Sequence, residues 1–261
     1  MPSTILTHLH HQLLTITMNR PEVHNAFNEV VIAELTQAFE TAGNDPAVRV
    51  VVLAGAGKSF SAGADVNWMK KMVGYSYEEN VDDARAMANM LRSIRACPRP
   101  VIARVHGAAL GGGVGLTAAC DVAVALRSAS FGLTEVRLGI LPAVISPYVM
   151  EKIGSGAMRR YALTAERFGG DIAMRLGLVQ ELADSEDGLD QAVKNLADGF
   201  MQNGPEAMAE CKRVLREVQP IDWDAATDAT TRAIAQRRVS SEGQDGLHAF
   251  LEKRPPRWSK S

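Results

Sequence analysis

The sequence is poor in cysteine, in aromatic residues and in net charge. Its three cysteines, Cys97, Cys120 and Cys211, are odd in number and far apart, so neither a disulfide framework nor a metal knuckle is indicated. Free cysteines favour a reducing, cytoplasmic location. An aromatic share of 5% and a net charge of −2 provide neither a stacking platform nor a basic surface, which argues against nucleic acid as a partner.

The amino-terminal segment MPSTILTHLHHQLLTITMNRP lacks a basic leader and a long apolar core. We therefore expect neither secretion nor a membrane partner. His8, His10 and His11 lie close together in this segment, but their spacing on an extended chain is more typical of a strand than of a metal site. No metal ligands are predicted.

What the sequence contains is typical of a globular enzyme-sized chain. Its 261 residues are enough for one sizeable core plus a smaller helical appendage. Strand, loop and helix patterns recur about every 50 residues as far as residue 185, which predicts an α/β body with crossover connections. Only helical patterns follow. We therefore divide the chain into an α/β core over 1–188 and a helical region over 189–261 that packs on the core or on a neighbouring subunit.

Individual elements are predicted from hydrophobic periodicity and from breakers such as Pro and Gly. Segment 131–142 is interpreted as a loop and segment 147–183 as helical. Strands are expected at 12–19, 48–55, 100–105 and 121–126, and helices at 27–43, 78–96, from the glycine stretch to Ala119, and at 189–201, 205–217 and 222–239.

The stretch VHGAALGGGVGLTAACD, at 105–121, has five glycines between Gly107 and Gly115. A phosphate-binding loop is excluded because no lysine follows the glycines. A dinucleotide fingerprint matches as Gly113-x-Gly115-x-x-Ala118, but its strand should end immediately before it rather than at Val105. Close packing between elements accounts for one or two of the glycines rather than five.

The remaining interpretation is a site in which main-chain N–H groups at a helix start face a developing negative oxygen. Side chains there would keep a substrate away, so glycine suits this geometry. A second loop, Ser61-Ala62-Gly63-Ala64-Asp65, is also built of small residues and also follows a buried strand. The two loops together predict a pair of hydrogen-bond donors.

The paired segments FSAGAD (60–65) and HGAALGGG (106–113) resemble the crotonase superfamily of enoyl-CoA hydratases and isomerases. FGLTEVRLGILP (131–142) and GLHAFLEKR (246–254) resemble its later signatures, so the resemblance covers essentially the whole chain. It implies a spiral of ββα turns with a C-terminal helical region that forms trimers or a dimer of trimers.

The resemblance also implies stabilisation of a thioester enolate by the N–H groups of Ala64 and Gly112. Coenzyme A is then part of the substrate, and no permanently bound cofactor is implied. The residues implied to contact it are Ala62, Ala64, Asp65, Val66, Asn67 and Gly112, with Lys253 contributed from the tail of an adjacent subunit.

Two further segments, EVRLGILPAVISPYVMEKIG and RRYALTAERF, are similar to bacterial 3-methylglutaconyl-CoA hydratases and to related hydratases of terpene breakdown. The best-known hydratases use two glutamates to hold water and move a proton. Here one is present as Glu135 and the other position is Gly115. We predict a hydratase of a branched enoyl-CoA with Glu135 as general base. The alternatives are a Δ3-Δ2 enoyl-CoA isomerase that uses the single glutamate, and an inactive scaffold if Glu135 or a donor loop were lost.

The other polar and sulfur-containing residues of these segments are given structural roles. Asp65 is expected to cap the following helix, and Asp121 to stabilise a turn. A solvated helix start is expected for Glu78, Glu79 and Asp82, and a core position for Cys120, Met87 and Met90.

Overall fold

The computed structural model describes residues 3–259, which form two sheets and ten α-helices. The strands are β1 Ile5–His10, β2 Leu13–Met18, β3 Val50–Gly55, β4 Val101–Val105, β5 Ala108–Leu110, β6 Val122–Leu126, β7 Ser130–Gly132, β8 Arg167–Gly169 and β9 Glu181–Ala183. The helices are α1 Glu29–Asn44, α2 Val66–Met72, α3 Tyr77–Ala96, α4 Gly112–Ala119, α5 Ser146–Thr164, α6 Gly170–Leu176, α7 Glu186–Met201, α8 Pro205–Glu217, α9 Trp223–Val239 and α10 Ser241–Leu251.

The larger sheet has the strand order β1-β2-β3-β4-β6-β9, in which β1 is antiparallel to β2 and the other pairs are parallel. Its central strands are almost wholly apolar because both faces are covered. Val51 and Leu53 of β3 belong to the main core, whereas Val50 and Val52 point to the opposite face and pack in a second cluster with α7. Alternate residues of one strand thus serve two cores.

The smaller sheet, β5-β7-β8, lies beside the carboxyl ends of the larger one. The chain passes from β4 to β5 to α4, and then from β6 through β7 to α5. This repeated strand–strand–helix order confirms the spiral of ββα turns. It also places the start of α4 directly after the small sheet, where the glycine stretch lies.

The helices divide between the sheet and the C-terminal end. Helices α1 and α3 pack together on the main core, and α7 covers the opposite face of the larger sheet. Helices α8, α9 and α10 pack on one another, in agreement with a helical region at the end of the chain. The division at 188/189 stays a prediction; that boundary falls inside α7, which packs on the larger sheet. No helix within residues 3–259 combines the length and apolarity needed to cross a bilayer.

The predicted strands at 12–19, 48–55, 100–105 and 121–126 are confirmed, but the helical interpretation of 147–183 is wrong in part. Strands β8 and β9 lie within that segment, and β7 overlaps the start of the segment interpreted as a loop. Each of these strands has only three residues, too few for a period-2 pattern to be recognised. They are held by tertiary contacts instead, as when Phe168 of β8 stacks on Phe131 of β7 with ring centroids 5.8 Å apart.

Candidate active site

The first donor loop follows β3 and ends where α2 begins. The Phe27 N–H donates to the Gly63 carbonyl at 2.7 Å, and the Asp65 N–H donates to the Phe27 carbonyl at 2.8 Å. These two bonds enclose Ala64 without using its own N–H. No acceptor within residues 3–259 lies within hydrogen-bonding distance of that N–H, and Ala64 is exposed.

The second donor lies at the start of α4. Gly111 adopts φ +52°, and its N–H donates to the Gly132 carbonyl at 2.8 Å. Gly112 is the first helical residue, so its N–H has no partner within the helix. The described part of the chain offers it no other acceptor. The partial positive charge of a helix start makes this N–H a favourable donor to an anion.

The two loops are joined by main-chain hydrogen bonds. The Ser61 N–H donates to the Ala108 carbonyl at 3.0 Å, and the Leu110 N–H donates to the Ser61 carbonyl at 2.9 Å. The structure therefore brings together the two segments that the sequence analysis paired, and the Ala64 N–H on one and the Gly112 N–H on the other have no acceptor among the described residues.

The glycines between 107 and 115 all lie against other parts of the protein. The prediction that packing accounts for only one or two of them is therefore wrong. A β-carbon would meet the Lys58 carbonyl at Gly107, the Glu135 carboxylate at Gly111, the Phe27 ring and Met87 at Gly112, the Ser61 carbonyl at Gly113, and Ile145 at Gly115.

The same contacts count against the dinucleotide fingerprint. Gly113 and Gly115 face Ser61 and Ile145, so neither is open to a pyrophosphate. The role of Gly112 as a donor depends on its free N–H, because its missing side chain is already explained by the Phe27 ring.

Glu135 begins a single turn of 3-10 helix after β7 and points toward the second donor loop. Its Oε1 would lie 2.9 Å from a β-carbon on Gly111, so only glycine leaves room for the carboxylate there. Its Oε2 is buried and has no hydrogen-bond partner among the described residues. Burial raises the pKa of Glu135, and the N–H groups of Glu135 and Thr134 offset this only partly. Such a carboxylate is suited to accept a proton.

The position of a second carboxylate is closed. Gly115 lies inside α4 and is fully buried, and a β-carbon on it would overlap the γ2-methyl of Ile145. Ile145 itself is 2% exposed. At Gly115 the described structure thus has an apolar neighbour in the space where a second glutamate side chain would start, and Glu135 remains the predicted acid.

The residues predicted to contact coenzyme A lie in two places. Ala64, Val66 and Asn67 are exposed along the first donor loop and the start of α2, and Ala62 is half-buried. Lys253 is exposed just after α10, and α10 packs on α8 and α9. These contacts stay predictions.

Among the predicted contacts with coenzyme A, Asp65 has a side chain that is already fully engaged within the protein. Its side chain is 4% exposed and caps α2 by accepting from the Asn67 N–H at 2.7 Å, which confirms the predicted cap. Its other oxygen accepts from Arg20 at 2.6 Å. Burial opposes ionisation of Asp65, but these two donors outweigh it and hold the pKa of the carboxyl below its ordinary value. A contact of Asp65 with coenzyme A therefore has to use the main chain.

Segment 20–27, which the sequence analysis treated only as a chain breaker and the start of a helix, supports the first donor loop. The Asn25 side chain donates to the carbonyls of Ala56 and Ser59, and the His24 carbonyl accepts from the Ala62 N–H at 2.9 Å. The only available signal for this segment was that the family resemblance covers essentially the whole chain. Periodicity carries no information about such contacts.

The predicted structural roles are largely confirmed. Ser76 and Glu79 form a capping box at the exposed start of α3, and Cys120 and Met90 are fully buried. Asp121 does more than stabilise a turn: it accepts from the Val101 N–H and forms an ion pair with Lys212 of α8. Within the described residues no group of three or more His, Cys, Asp or Glu side chains could hold a metal ion, and the three amino-terminal histidines form none.

Comparison with known proteins gives one family. The enoyl-CoA hydratase/isomerase family matches residues 9–261. The chain is 34% identical to a crotonyl-CoA hydratase from Syntrophomonas wolfei, with 93% of each chain covered, and 30% identical to the 2,3-dehydroadipyl-CoA hydratase of Escherichia coli, with 97% of this chain and 98% of the relative covered. A crystal structure of an enoyl-CoA hydratase from Shewanella pealeana superimposes with a TM-score of 0.94 at 40% identity, over 98% of this chain and 96% of that one.

The family match spans nearly the whole chain, and it agrees with the ββα spiral and with the paired donor loops described above. The chain therefore belongs to the enoyl-CoA hydratase/isomerase family, within the crotonase superfamily.

Proposed function

We propose that this protein is an enoyl-CoA hydratase that adds water across the α,β double bond of a thioester. The observation that carries the proposal is the pair of acceptor-free N–H groups, on Ala64 and Gly112, beside the buried and unpartnered carboxylate oxygen of Glu135. The names of the related crotonyl-CoA and 2,3-dehydroadipyl-CoA hydratases support the same reaction class.

In this mechanism the thioester carbonyl oxygen accepts from both N–H groups. Glu135 takes a proton from water as the water oxygen bonds to the β-carbon, and the π electrons move through the α-carbon onto the thioester oxygen. Glu135 then delivers that proton to the α-carbon, the carbonyl reforms, and the product is a 3-hydroxyacyl thioester. One well-placed donor of this kind contributes about 3–4 kcal/mol to the transition state.

For the acyl group we propose 3-methylglutaconyl-CoA or a related branched enoyl-CoA of leucine or terpene breakdown. The support is the resemblance carried by EVRLGILPAVISPYVMEKIG and RRYALTAERF. The relative from Escherichia coli is named for a substrate that also has a distal carboxylate, 2,3-dehydroadipyl-CoA.

A Δ3-Δ2 enoyl-CoA isomerase is the second candidate, and Gly115 is the observation that favours it. One carboxylate can carry a proton between two carbons of the acyl chain without holding water. Since Ile145 fills the space beside Gly115, the described part of this site offers only Glu135 for that task. The two donor loops would serve either reaction.

The test is a substrate panel of crotonyl-CoA, 3-methylglutaconyl-CoA and a 3-enoyl-CoA, followed by product analysis. The proposal predicts hydration, fastest with 3-methylglutaconyl-CoA. A shift of the double bond of the 3-enoyl-CoA without hydration of the other two would establish the isomerase instead.

Replacing Glu135 with glutamine tests its role in either reaction. We expect the Glu135→Gln variant to lose at least about 100-fold in kcat, the usual scale of a general base, while its affinity for CoA thioesters stays nearly unchanged. The matched control is Glu181→Gln, which alters an exposed carboxylate on β9. Undiminished turnover in the Glu135 variant would remove this residue from the mechanism.

We also propose that the chain assembles as a trimer or a dimer of trimers and that Lys253 reaches coenzyme A bound to a neighbouring subunit. The C-terminal helices leave large apolar side chains at least three-quarters exposed in the single chain: Trp223, Val239, Phe250 and Leu251. Light scattering should give three or six times the 28.1 kDa protomer mass, and a mass of one protomer would refute the assembly. The three unpaired cysteines fit our proposal of a reducing, cytoplasmic compartment.

A further inference from the structure

Phe27 contacts both donor segments. Its main chain forms the two hydrogen bonds that enclose Ala64, to the Gly63 carbonyl and from the Asp65 N–H. Its ring lies against Gly112, where a β-carbon would overlap ring atom Cε2. Phe27 is 1% exposed, so the ring is held on all sides. One residue thus spans the distance between the two free N–H groups.

The Arg20 guanidinium forms hydrogen bonds next to both Phe27 and Ala64. Its Nη1 donates to the Ala26 carbonyl at 2.7 Å, and its Nη2 donates to the Asp65 carboxylate at 2.6 Å. Ala26 precedes Phe27 in the chain, and Asp65 follows Ala64. A single guanidinium therefore links the residue before Phe27 to the residue after Ala64. Lysine, a single point charge, cannot reproduce this forked geometry.

Segment 20–27, which carries Phe27, is also held in place by buried hydrogen bonds. His24 and Asn25 both adopt φ +54°, a left-handed conformation that is uncommon outside glycine but that Asn and His tolerate better than most residues. The Asn25 side chain, 1% exposed, accepts from the Arg20 N–H and donates to the carbonyls of Ala56 and Ser59. Segment 20–27 therefore cannot slide along the first donor loop without breaking several buried hydrogen bonds.

We propose that Phe27 and Arg20 are positioning residues that set the separation and direction of the Ala64 and Gly112 N–H groups. The inference rests on the proposed use of these two groups as donors to the thioester oxygen. Neither residue takes part in proton transfer. Both act by keeping two donors, 48 residues apart in the sequence, aimed at one oxygen.

The test uses two variants and a matched control for each. Phe27→Leu is compared with Phe39→Leu, since Phe39 is equally buried in the same core but lies on α1. Arg20→Lys is compared with Arg104→Lys, since Arg104 is also 17% exposed and its guanidinium also holds two acceptors, the carboxylates of Glu186 and Asp190. The controls report what the loss of core volume or of a forked ion pair does by itself.

Three quantities are measured for each variant: kcat, KM and the absorption of bound 4-dimethylaminocinnamoyl-CoA. The band of this thioester moves to longer wavelength when its carbonyl is polarised by hydrogen-bond donors. A misplacement of about 1 Å costs roughly 100-fold in rate. We therefore expect kcat of Phe27→Leu and Arg20→Lys to fall by about 10- to 100-fold, KM to change by less than about threefold, and the red shift to shrink. The two controls should keep the wild-type kcat and red shift whatever their melting temperatures.

The results separate the two proposals. If the wild-type protein neither shifts the chromophore nor turns over any thioester of the panel, the proposed function fails. If it does both and the two variants keep its kcat and red shift, only the positioning inference is refuted. Equal losses in variants and controls would also refute it. If Phe27→Leu does not fold, Arg20→Lys, which keeps the charge and nearly the volume, decides alone.

Discussion

Replacing Gly113 with alanine would place a methyl group between the two donor loops. The added carbon would lie 2.5 Å from the Ser61 carbonyl oxygen, about 1 Å closer than ordinary van der Waals contact. That oxygen already accepts from Leu110, in one of the hydrogen bonds that join the loops. Because the obstacle is backbone rather than a flexible side chain, the loops themselves have to separate.

The expected effect on rate follows from this displacement. A shift approaching 1 Å in one donor segment costs up to about 100-fold in kcat, and overpacking of this kind costs about 1–3 kcal/mol of stability. We expect Gly113→Ala to reduce kcat by about 10- to 100-fold on its best substrate and to lower the melting temperature by several degrees.

The assay is steady-state kinetics at saturating thioester, combined with thermal unfolding. Gly156→Ala is the matched control, because a β-carbon at this exposed position of α5 meets nothing within 4 Å. Alanine there should leave kcat unchanged and should not lower the melting temperature. Wild-type kcat and melting temperature in Gly113→Ala would show that the loops are not in close contact, and the reasoning from their geometry would be refuted.

Four further predictions concern Glu135, Gly115 and the ion pair of Lys212 with Asp121. Burial raises the pKa of Glu135 above the 4.5 of an ordinary glutamate, so kcat/KM should fall as the pH drops through that raised value; an acid limb at or below pH 4.5 would contradict it. A raised folded-state pKa means that the ionised form destabilises the fold above the unfolded pKa, so Glu135→Gln should melt at a higher temperature than the wild type at pH 7. Gly115→Glu should be strongly destabilised by overlap with Ile145, and Ile145→Ala in the same chain should restore part of the loss; additive unfolding free energies in this double-mutant cycle would refute the contact. Lys212→Met should lower the free energy of unfolding in urea by about 2 kcal/mol by leaving the half-buried Asp121 carboxylate without its cation, and an unchanged midpoint would show that the pair does not tie α8 to the core.

The sequence was sufficient to predict the central strands and both donor loops. Strand β3 is a continuous apolar run because both of its faces are buried, and such a run can be recognised without knowing its partners. The loop of small residues and the glycine stretch can also be recognised locally, because their composition is unusual over a few consecutive residues. Glu135 was identified from its place in a signature, and the structure adds the burial of its Oε2 and the space that Gly111 leaves for its carboxylate.

Tertiary structure alone decided what holds this site together. The ring of Phe27 against Gly112, the bond from Arg20 to Asp65, and the γ2-methyl of Ile145 over Gly115 each join residues at least 30 positions apart. Strands β8 and β9 likewise exist because neighbouring strands supply their hydrogen bonds. A local pattern records which residues need burial or a special backbone conformation, but it contains no information about which distant residue meets that need. That choice is made only when the chain packs.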